Sequence, residues 1–287
     1  MAVKFFGQFL LEKNIIKREE LLDTLEFQKS KNMDFGKCAL AKGYITDRDL
    51  ANLKSAQKQV DMKFGEVAIK LNIMTPEQVE DVLTMQKKNH IFFGEALVEK
   101  GIIASDILER ELSLFKQDQS KYLTGNIIIP AGIKNPDAVK SIVDITQKMF
   151  QRIARLQVKV DDGFVTDSEP LMSFVLASIS LHGSLKYEYA LSLSREISAL
   201  IASAIIGESI DNSATELIKD GVKECCNIVC GNIISKLSIS GIEMDLSPPQ
   251  EAVSSGNVYN LLRGRKAIYY PLVSFKGDSA ALILIEG

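Results

Sequence analysis

The sequence has few of the residues on which secreted, metal-dependent or nucleic-acid-binding proteins depend. It contains no tryptophan, two histidines and four cysteines among 287 residues. Its 34 lysines and arginines face 37 aspartates and glutamates, and residues 1–119 and 120–287 are each close to neutral. Binding to a phosphate backbone needs a basic excess, so this balance argues against nucleic acid as a partner. The length predicts about two domains, each large enough to bury a core.

The cysteines and the apolar runs predict a reduced, cytoplasmic protein. Cys38 stands alone, whereas Cys225, Cys226 and Cys230 crowd together. Cysteines this close on a helix cannot all reach disulfide geometry, and no CxxC pair predicts a zinc site. Reduced, buried thiols are typical of the cytoplasm. No apolar stretch approaches the roughly 18 residues of a membrane span, so we expect neither a signal peptide nor membrane insertion.

A repeat of 29 residues organises residues 1–119. Its marker is a Phe-Gly pair, found at Phe6-Gly7, Phe35-Gly36, Phe64-Gly65 and Phe93-Gly94. The same period aligns an Asn/Gly column at 14, 43, 72 and 101, a Leu/Val column at 21, 50, 79 and 108, and a Gln column at 28, 57 and 86 that ends in Phe115. Regular columns of this kind indicate a repeat architecture.

Each repeat is predicted to be a helical hairpin. A first helix of about two turns begins near the Phe-Gly pair and ends at the Asn/Gly column, which suits the left-handed residue after a helix. A second helix follows, most clearly where Thr75 can cap, Pro76 begins the helix and Gln78 completes a capping box. One hairpin has too little core to stand alone, so we expect the repeats to stack.

These columns resemble the N-terminal domain of type II secretion and pilus ATPases, called MshEN in its cyclic-di-GMP-binding form. The arginine that contacts the nucleotide in that family falls on Phe5, Asp34, Lys63 and Phe92 here. Only Lys63 keeps a positive charge, and a guanidinium is the bidentate donor that guanine and phosphate need. Cyclic-di-GMP is therefore a possible but disfavoured ligand, and a helical docking or regulatory module is the favoured interpretation.

The remaining sequence predicts an α+β domain at 135–287, after a linker at 120–134. Capping signals and periodicity indicate long helices, and alternation around tight turns indicates antiparallel hairpins. The predicted elements are a helix from 135 to about 158, strands at 171–181 and 185–193 around a turn at 182–184, a helix at 197–206, a helix from a capping box at 213–216 to about 238, an extended connector at 245–249 and a hairpin of 267–275 with 280–285.

The helix that begins near Ser213 carries the candidate site. Its predicted buried stripe consists of Val222, Cys226, Val229, Ile233 and Leu237. Glu224, Asn227 and Gly231 are spaced three and four residues apart, so they form a separate ridge.

Three blocks of the C-terminal part, at 179–207, 224–231 and 245–256, resemble the chemotaxis phosphatase CheX, of the CheC/CheX/FliY group. The resemblance implies helices packed on an antiparallel sheet, a homodimer through the sheet side, and a phosphorylated CheY-like response regulator as partner. It maps the catalytic signature Glu-x-x-Asn onto Glu224 and Asn227. Asn227 would orient the water that attacks the aspartyl phosphate, and Glu224 would pair with the regulator's active-site lysine. The protein would need no cofactor or metal of its own, since the regulator supplies Mg²⁺.

Other interpretations of the same residues stay open. A glutamate and an asparagine on a helix are most often a solvated face, and a fold does not guarantee an activity. The alternative from a different class is a non-catalytic adaptor that uses the ridge only for docking. Redox sensing by the cysteines would need a lowered pKa. His90 and His182 are isolated, so neither predicts a metal site or a triad.

Overall fold

Short and long helices alternate in the N-terminal part of the computed structural model, which describes residues 3–120, 127–168, 174–253, 262, 264–274 and 279–287. These helices are α1 (Phe6–Glu12), α2 (Arg18–Lys31), α3 (Phe35–Ala41), α4 (Asp47–Lys58), α5 (Phe64–Lys70), α6 (Pro76–Lys88), α7 (Phe93–Glu99) and α8 (Ser105–Asp118). Each Phe-Gly pair thus begins a short helix, as predicted. The chain divides into a unit of Lys4–Thr124 and a unit that holds Gly125–Gly287 with the first three residues.

The Asn/Gly column has the left-handed backbone that the sequence predicts. The backbone φ is 55° at Asn14, 71° at Gly43, 55° at Asn72 and 69° at Gly101. The cap at the start of α6 is also confirmed. The Thr75 hydroxyl accepts a hydrogen bond from the Gln78 amide at 3.3 Å, and the Gln78 side chain accepts one from the Thr75 amide at 2.9 Å. The Asn/Gly column therefore follows the end of each short helix, and the Thr75 cap marks the start of α6.

The four repeats pack as two pairs, one of which joins the two ends of the repeat array. The second and third repeats share one core, which includes Phe35, Leu53 and Val82. The first and fourth repeats share another, which includes Leu10 and Leu97. The Phe35 and Phe64 rings lie 5.8 Å apart across the first of these cores. Stacking was predicted, but the choice of partner was not.

The repeat columns make two kinds of contact, one within a repeat and one between paired repeats. Each Phe-Gly glycine packs under the Leu/Val residue of its own second helix; a Cβ on Gly36, for example, would lie 2.5 Å from the Leu50 side chain. The Gln28 side chain donates a hydrogen bond to the Ile91 carbonyl of the paired repeat at 3.0 Å. Gln86 makes the equivalent bond to the Met33 carbonyl at 3.2 Å. The Gly and Leu/Val columns thus pack within one repeat, and the Gln column forms hydrogen bonds between paired repeats.

Lysines at one position of the 29-residue repeat form ion pairs between repeats. Lys42 of the second repeat bridges Asp81 of the third at 2.5 Å, and Lys100 of the fourth bridges Asp23 of the first at 2.8 Å. Lys13 of the first repeat pairs with Glu111 of the fourth. The fourth equivalent position is Leu71, which cannot form such a bridge. Each ion pair joins two repeats that share a core.

The C-terminal unit has three long helices and eight strands among its described residues. The helices are α9 (Pro136–Ala154), α10 (Arg195–Ile206) and α11 (Thr215–Ile239). The strands are β1 (Val158–Val160), β2 (Phe164–Thr166), β3 (Val175–Gly183), β4 (Tyr187–Leu193), β5 (Met244–Leu246), β6 (Gln250–Val253), β7 (Ala267–Ser274) and β8 (Ser279–Glu286). This confirms the predicted α+β class, with long helices packed on an antiparallel sheet.

One antiparallel sheet contains all these strands. Its order is β1-β7-β8-β4-β3-β5, with β2 also paired to β7 and β6 also paired to β3. The main core lies between one face of the sheet and the helices α9, α10 and α11, and its largest fully buried side chains include Tyr189, Tyr270 and Phe150. A smaller apolar cluster, which includes Leu176 and Ile283, lies on the opposite face. The helices thus bury one side against the sheet and can present residues on the other.

Several predicted boundaries were wrong. The helix expected to reach about 158 ends at Ala154, where Arg155 turns left-handed, and the chain continues as β1. The predicted turn at 182–184 begins too early, because β3 extends to Gly183. The connector at 245–249 contains most of β5 and then joins it to β6, both of which pair with β3.

The predicted capping box at 213–216 was also wrong. The Ser213 hydroxyl bonds to Asp211 at 2.5 Å, so it does not cap α11. Glu216 instead pairs with Lys219 at 2.7 Å. Gly241 has a φ of 79° beyond the end of α11, as expected.

Parts of other predictions fall outside the described residues. These are the linker segment at 121–126, the start of the 171–181 strand, the end of the 267–275 strand with the turn that follows it, and the end of the third block at 254–256.

Candidate functional site

The buried side of the helix α11 contains the stripe of residues that the sequence predicts. Val222, Cys226, Val229, Ile233 and Leu237 are all buried, with at most 2% of any of these residues exposed. The helix packs on α10, α9 and β3.

The helices α10 and α11 approach closely at Gly221, where a Cβ would lie 2.5 Å from the Cα and Cβ of Ala202. This close packing fixes the position of α11, and sequence reasoning missed it. The sequence feature that could have indicated this contact is the presence of two small residues, Gly221 and Ala202, on two amphipathic helices.

The ridge of Glu224, Asn227 and Gly231 lies on the open side of α11. Glu224 is exposed, and Asn227 and Gly231 are partly exposed. Seven residues of helix separate the first from the last, so the ridge runs along about two turns. The structure therefore places all three residues on one accessible surface, as their spacing predicts.

Glu224 differs from two other carboxylates of α11. Glu216 pairs with Lys219 at 2.7 Å, and Asp220 pairs with Lys223 at 2.8 Å. The residue three positions after Glu224 is Asn227 and not a lysine. Among the described residues, the Glu224 carboxylate forms no ion pair or hydrogen bond. It is thus a negative charge available to a partner.

Asn227 is similarly available. Its side-chain amide makes no hydrogen bond within the part of the chain that the structure describes. By contrast Asn232, on the buried side of the same helix, donates to the Ile228 carbonyl at 2.9 Å. An amide carries both donor and acceptor atoms. Asn227 can therefore hold a water molecule or a phosphate oxygen that a partner brings to the ridge.

The three cysteines of α11 face the core. Cys225, Cys226 and Cys230 are fully buried. Burial raises the pKa of the Cys225 thiol to about 12, with a smaller contribution from the charge of Glu224. Burial likewise raises the pKa of Cys226 and Cys230 well above the ordinary value. These side chains act as small apolar groups that support the ridge, which argues against the redox alternative.

The positions that carry the nucleotide-contacting arginine in the MshEN family are helix caps here. Phe5, Asp34, Lys63 and Phe92 are the N-cap residues of α1, α3, α5 and α7. The Asp34 side chain accepts a hydrogen bond from the Lys37 amide at 2.9 Å, so its charge is used inside the protein.

Neither histidine joins a cluster among the described residues. His90 is exposed and packs edge-on against the Phe92 ring at 4.8 Å, and His182 is exposed in β3. The described residues contain no group of three or more His, Cys, Asp or Glu side chains that could hold a metal ion. No helix in the described part of the chain is both long and apolar enough to cross a membrane.

Residues 175–272 match the model of the family Chemotaxis phosphatase CheX. The C-terminal unit contains a CheX-like domain. The match begins at β3 and ends in β7, so it includes α11 with Glu224 and Asn227. All three blocks that the sequence singled out lie inside it, the third being described as far as Val253.

Solved structures that are similar to part of this chain include CheX proteins. The one from Desulfovibrio desulfuricans is 17% identical, with 53% of this chain and 99% of that chain covered and a TM-score of 0.45. The one from Vibrio vulnificus is 18% identical, with coverages of 53% and 99% and a TM-score of 0.46. A CheX–CheY–BeF₃–Mg²⁺ complex from Borrelia burgdorferi matches at 19% identity, with coverages of 52% and 97% and a TM-score of 0.44. A search among curated proteins found no match.

Proposed function

We propose that the CheX-like domain dephosphorylates the aspartyl phosphate of a CheY-like response regulator. The observation that carries the proposal is the placement of Glu224 and Asn227, with available polar groups, on the exposed side of α11. The family description, chemotaxis phosphatase, supplies the substrate class. The matched region includes both residues, which gives weight to a motif that is common by itself.

The chemistry needs positioning more than acid–base catalysis. A water oxygen forms a bond to phosphorus while the bond from phosphorus to the aspartate oxygen breaks. The products are inorganic phosphate and a free carboxylate, and the protons of the water pass to phosphate or solvent. Phosphoryl transfer of this kind depends on in-line geometry and charge neutralisation. The Asn227 amide would orient the water, and the regulator would supply Mg²⁺ and the aspartate.

Glu224 would fix the angle at which the regulator docks. Unlike Glu216 and Asp220, it has no lysine partner three residues later. A lysine in the regulator's active site would complete that pair. Such a charge-assisted contact adds affinity and orientation, although it does not take part in bond breaking.

Replacing Asn227 tests the catalytic role. We expect Asn227→Ala to slow dephosphorylation of a cognate CheY-like receiver by about 100-fold, since loss of a positioning group misplaces the attacking water. The measurement is phosphate release from receivers charged with a small-molecule phosphodonor. Lys236→Ala, a change at an exposed position of the same helix turned by about 180° from Asn227, is the control. Unchanged decay with Asn227→Ala, together with retained receiver binding, would favour the adaptor alternative.

Replacing Glu224 tests the docking role separately. Glu224→Ala should weaken binding to a beryllofluoride-activated receiver by about tenfold and reduce turnover with it. Glu216→Ala is the matched control, because Glu216 is exposed on the same helix and already paired with Lys219. A loss of turnover with no loss of affinity would contradict docking through Glu224.

We also propose that the N-terminal repeats localise or regulate this activity. The cap positions with Phe5, Asp34 and Phe92 lack the guanidinium that would favour cyclic-di-GMP. Calorimetry of the full chain should therefore give no saturable heat with high micromolar cyclic-di-GMP, and saturable binding would contradict this. The homodimer that the resemblance implies stays a prediction, which sedimentation of the full chain tests.

A further inference from the structure

Gly231 differs from every other glycine that the structure describes. The others either have a left-handed backbone or would place a Cβ closer than 3 Å to a neighbouring atom. Gly221, in the same helix, belongs to the second group because of Ala202. Gly231 has neither property: apart from its chain neighbours and the backbone of its own helical turns, no described atom lies within 4 Å of where its Cβ would be. Packing among the described residues therefore gives no reason for a glycine at this position.

A glycine here has a cost for folding. Gly231 lies well inside the helix Thr215–Ile239, and its helical conformation is open to any residue. Glycine in a helix interior is less stable than alanine, because the unfolded chain loses more backbone freedom on folding. Where a residue breaks a local rule without a gain in packing, a functional site is the usual explanation.

Gly231 lies beside the candidate site. It lies one turn after Asn227, on the same ridge and with partial exposure. Asparagine has a short side chain, so its amide can enter a partner's site only if the partner comes close to the helix backbone. A glycine one turn away removes the side chain that would otherwise hold the partner back.

We propose that Gly231 is the clearance point of the regulator interface: the receiver surface packs against the bare backbone of α11 there, which lets Asn227 reach the aspartyl phosphate. The inference rests on the proposed phosphatase function and adds a residue that positions the partner. Gly231 does not touch the reacting atoms. Its role is to set the distance between two surfaces.

A size series at position 231 tests this inference in the full chain. Gly231→Ala should raise the melting temperature by about 2–4 °C, because it improves helix propensity and meets open space. The same variant should weaken binding to a beryllofluoride-activated CheY-like receiver by several-fold. Gly231→Leu should reduce both binding and phosphate release by more than tenfold. Lys236→Leu is the control, since it is exposed on α11 but turned by about 140° from Gly231.

The outcomes separate the two proposals. A native chain that dephosphorylates the receiver, with Gly231→Leu acting at the native rate, overturns the clearance role and leaves the phosphatase proposal intact. A native chain that neither binds nor dephosphorylates any receiver of the host overturns both. A fall in melting temperature for Gly231→Ala would reveal a structural role for the glycine and overturn the inference. Increased stability with graded loss of binding supports it.

Discussion

Burial decides the chemistry of the cysteines in α11. Cys225, Cys226 and Cys230 lie in adjacent turns of the helix and are fully buried. The thiolate is the reactive form, and the low-dielectric core raises the pKa that governs its formation. Tyr189 lies in the same core, and burial raises its pKa too, while its hydroxyl lies 3.2 Å from that of Thr146. The cluster is thus part of the packing beneath the ridge.

We expect the native protein to resist thiol reagents. All four cysteines are buried, including Cys38. At pH 8 an aromatic disulfide reagent should react with fewer than about one thiol per chain on the timescale of minutes, and with all four after denaturation. Rapid reaction of two or more thiols in the folded protein would contradict this and reopen the redox alternative.

The pair of Lys13 and Glu111 links the first and fourth repeats. The Glu111 side chain is only 3% exposed, and it also accepts from Arg110 at 3.0 Å. The hydrogen bond from Lys13 lowers the pKa of Glu111, with a smaller contribution from Arg110. Removal of Lys13 takes one hydrogen-bond donor and one positive charge away from the buried Glu111 carboxylate, which destabilises the folded state.

Lys13→Met should therefore lower the free energy of unfolding by about 1–3 kcal/mol near neutral pH. The folded pKa of Glu111 is depressed, so the stabilisation is present above the pKa of the unfolded carboxyl and is lost as the pH falls through the folded value. The difference from the native protein should thus narrow at acid pH. Denaturant unfolding at several pH values measures this, with exposed Lys29→Met as the control. A pH-independent difference would argue against the ion pair.

At the level of whole elements, the crossing of α10 and α11 depends on one glycine. Gly221 brings the two helices so close that a Cβ would lie 2.5 Å from the Ala202 backbone. A backbone atom cannot move aside as the end of a side chain can. The crossing therefore sets the separation of α10 and α11 at this point.

We expect Gly221→Ala to lower the free energy of unfolding by about 1–3 kcal/mol, because overpacking outweighs the gain in helix propensity. Gly231→Ala, the same change in the same helix, is the matched control and should have the opposite sign. Thermal unfolding of both variants gives the comparison. Equal stabilisation by the two alanines would show that α10 and α11 are not closely packed.

Elements with strong local signals were predictable, and those that depend on distant partners were not. The caps around Thr75 and the left-handed column at Asn14 were confirmed, since both are set by residues a few positions apart. The strands β1, β2, β5 and β6 were missed because each has only three or four residues and depends on pairing with a distant strand. The capping box failed because Asp211 competes for the Ser213 hydroxyl.

The candidate ridge was predictable for a similar reason. Spacings of three and four residues place Glu224, Asn227 and Gly231 on one side of a helix wherever that helix lies. The close crossing at Gly221 could not be found this way, since it depends on which helix packs beside α11. The open space around Gly231 among the described residues could likewise be found only from the structure.

For the N-terminal unit as a whole, the order of the repeats in sequence differs from their order in space. Because the 29-residue period makes the four repeats equivalent in sequence, it does not predict which repeat packs against which. Some side chains break this equivalence, among them Leu71 where the other repeats have a bridging lysine, and Phe115 where they have glutamine. Phe115 packs edge-on against Phe6 at 5.3 Å.

This pairing predicts an unusual pattern of coupling. Leu10 is fully buried in the core shared by the first and fourth repeats. Leu10→Ala should cost about 2–5 kcal/mol and lower amide protection in α7 and α8 more than in α3 and α4, although the latter are nearer in sequence. Native-state hydrogen exchange measures this. Greater loss of protection in α3 and α4 would show that neighbouring repeats pair instead.

The same arrangement has a consequence for biosynthesis. The first repeat leaves the ribosome before the second and third, which can close on each other as soon as both are made. Its own partner ends near Asp118, well after Lys31 at the end of the first repeat. At typical translation rates the apolar side of the nascent first repeat stays without its packing partner for on the order of 5–15 s. Chaperones that bind apolar segments during translation should therefore contact this part of the chain.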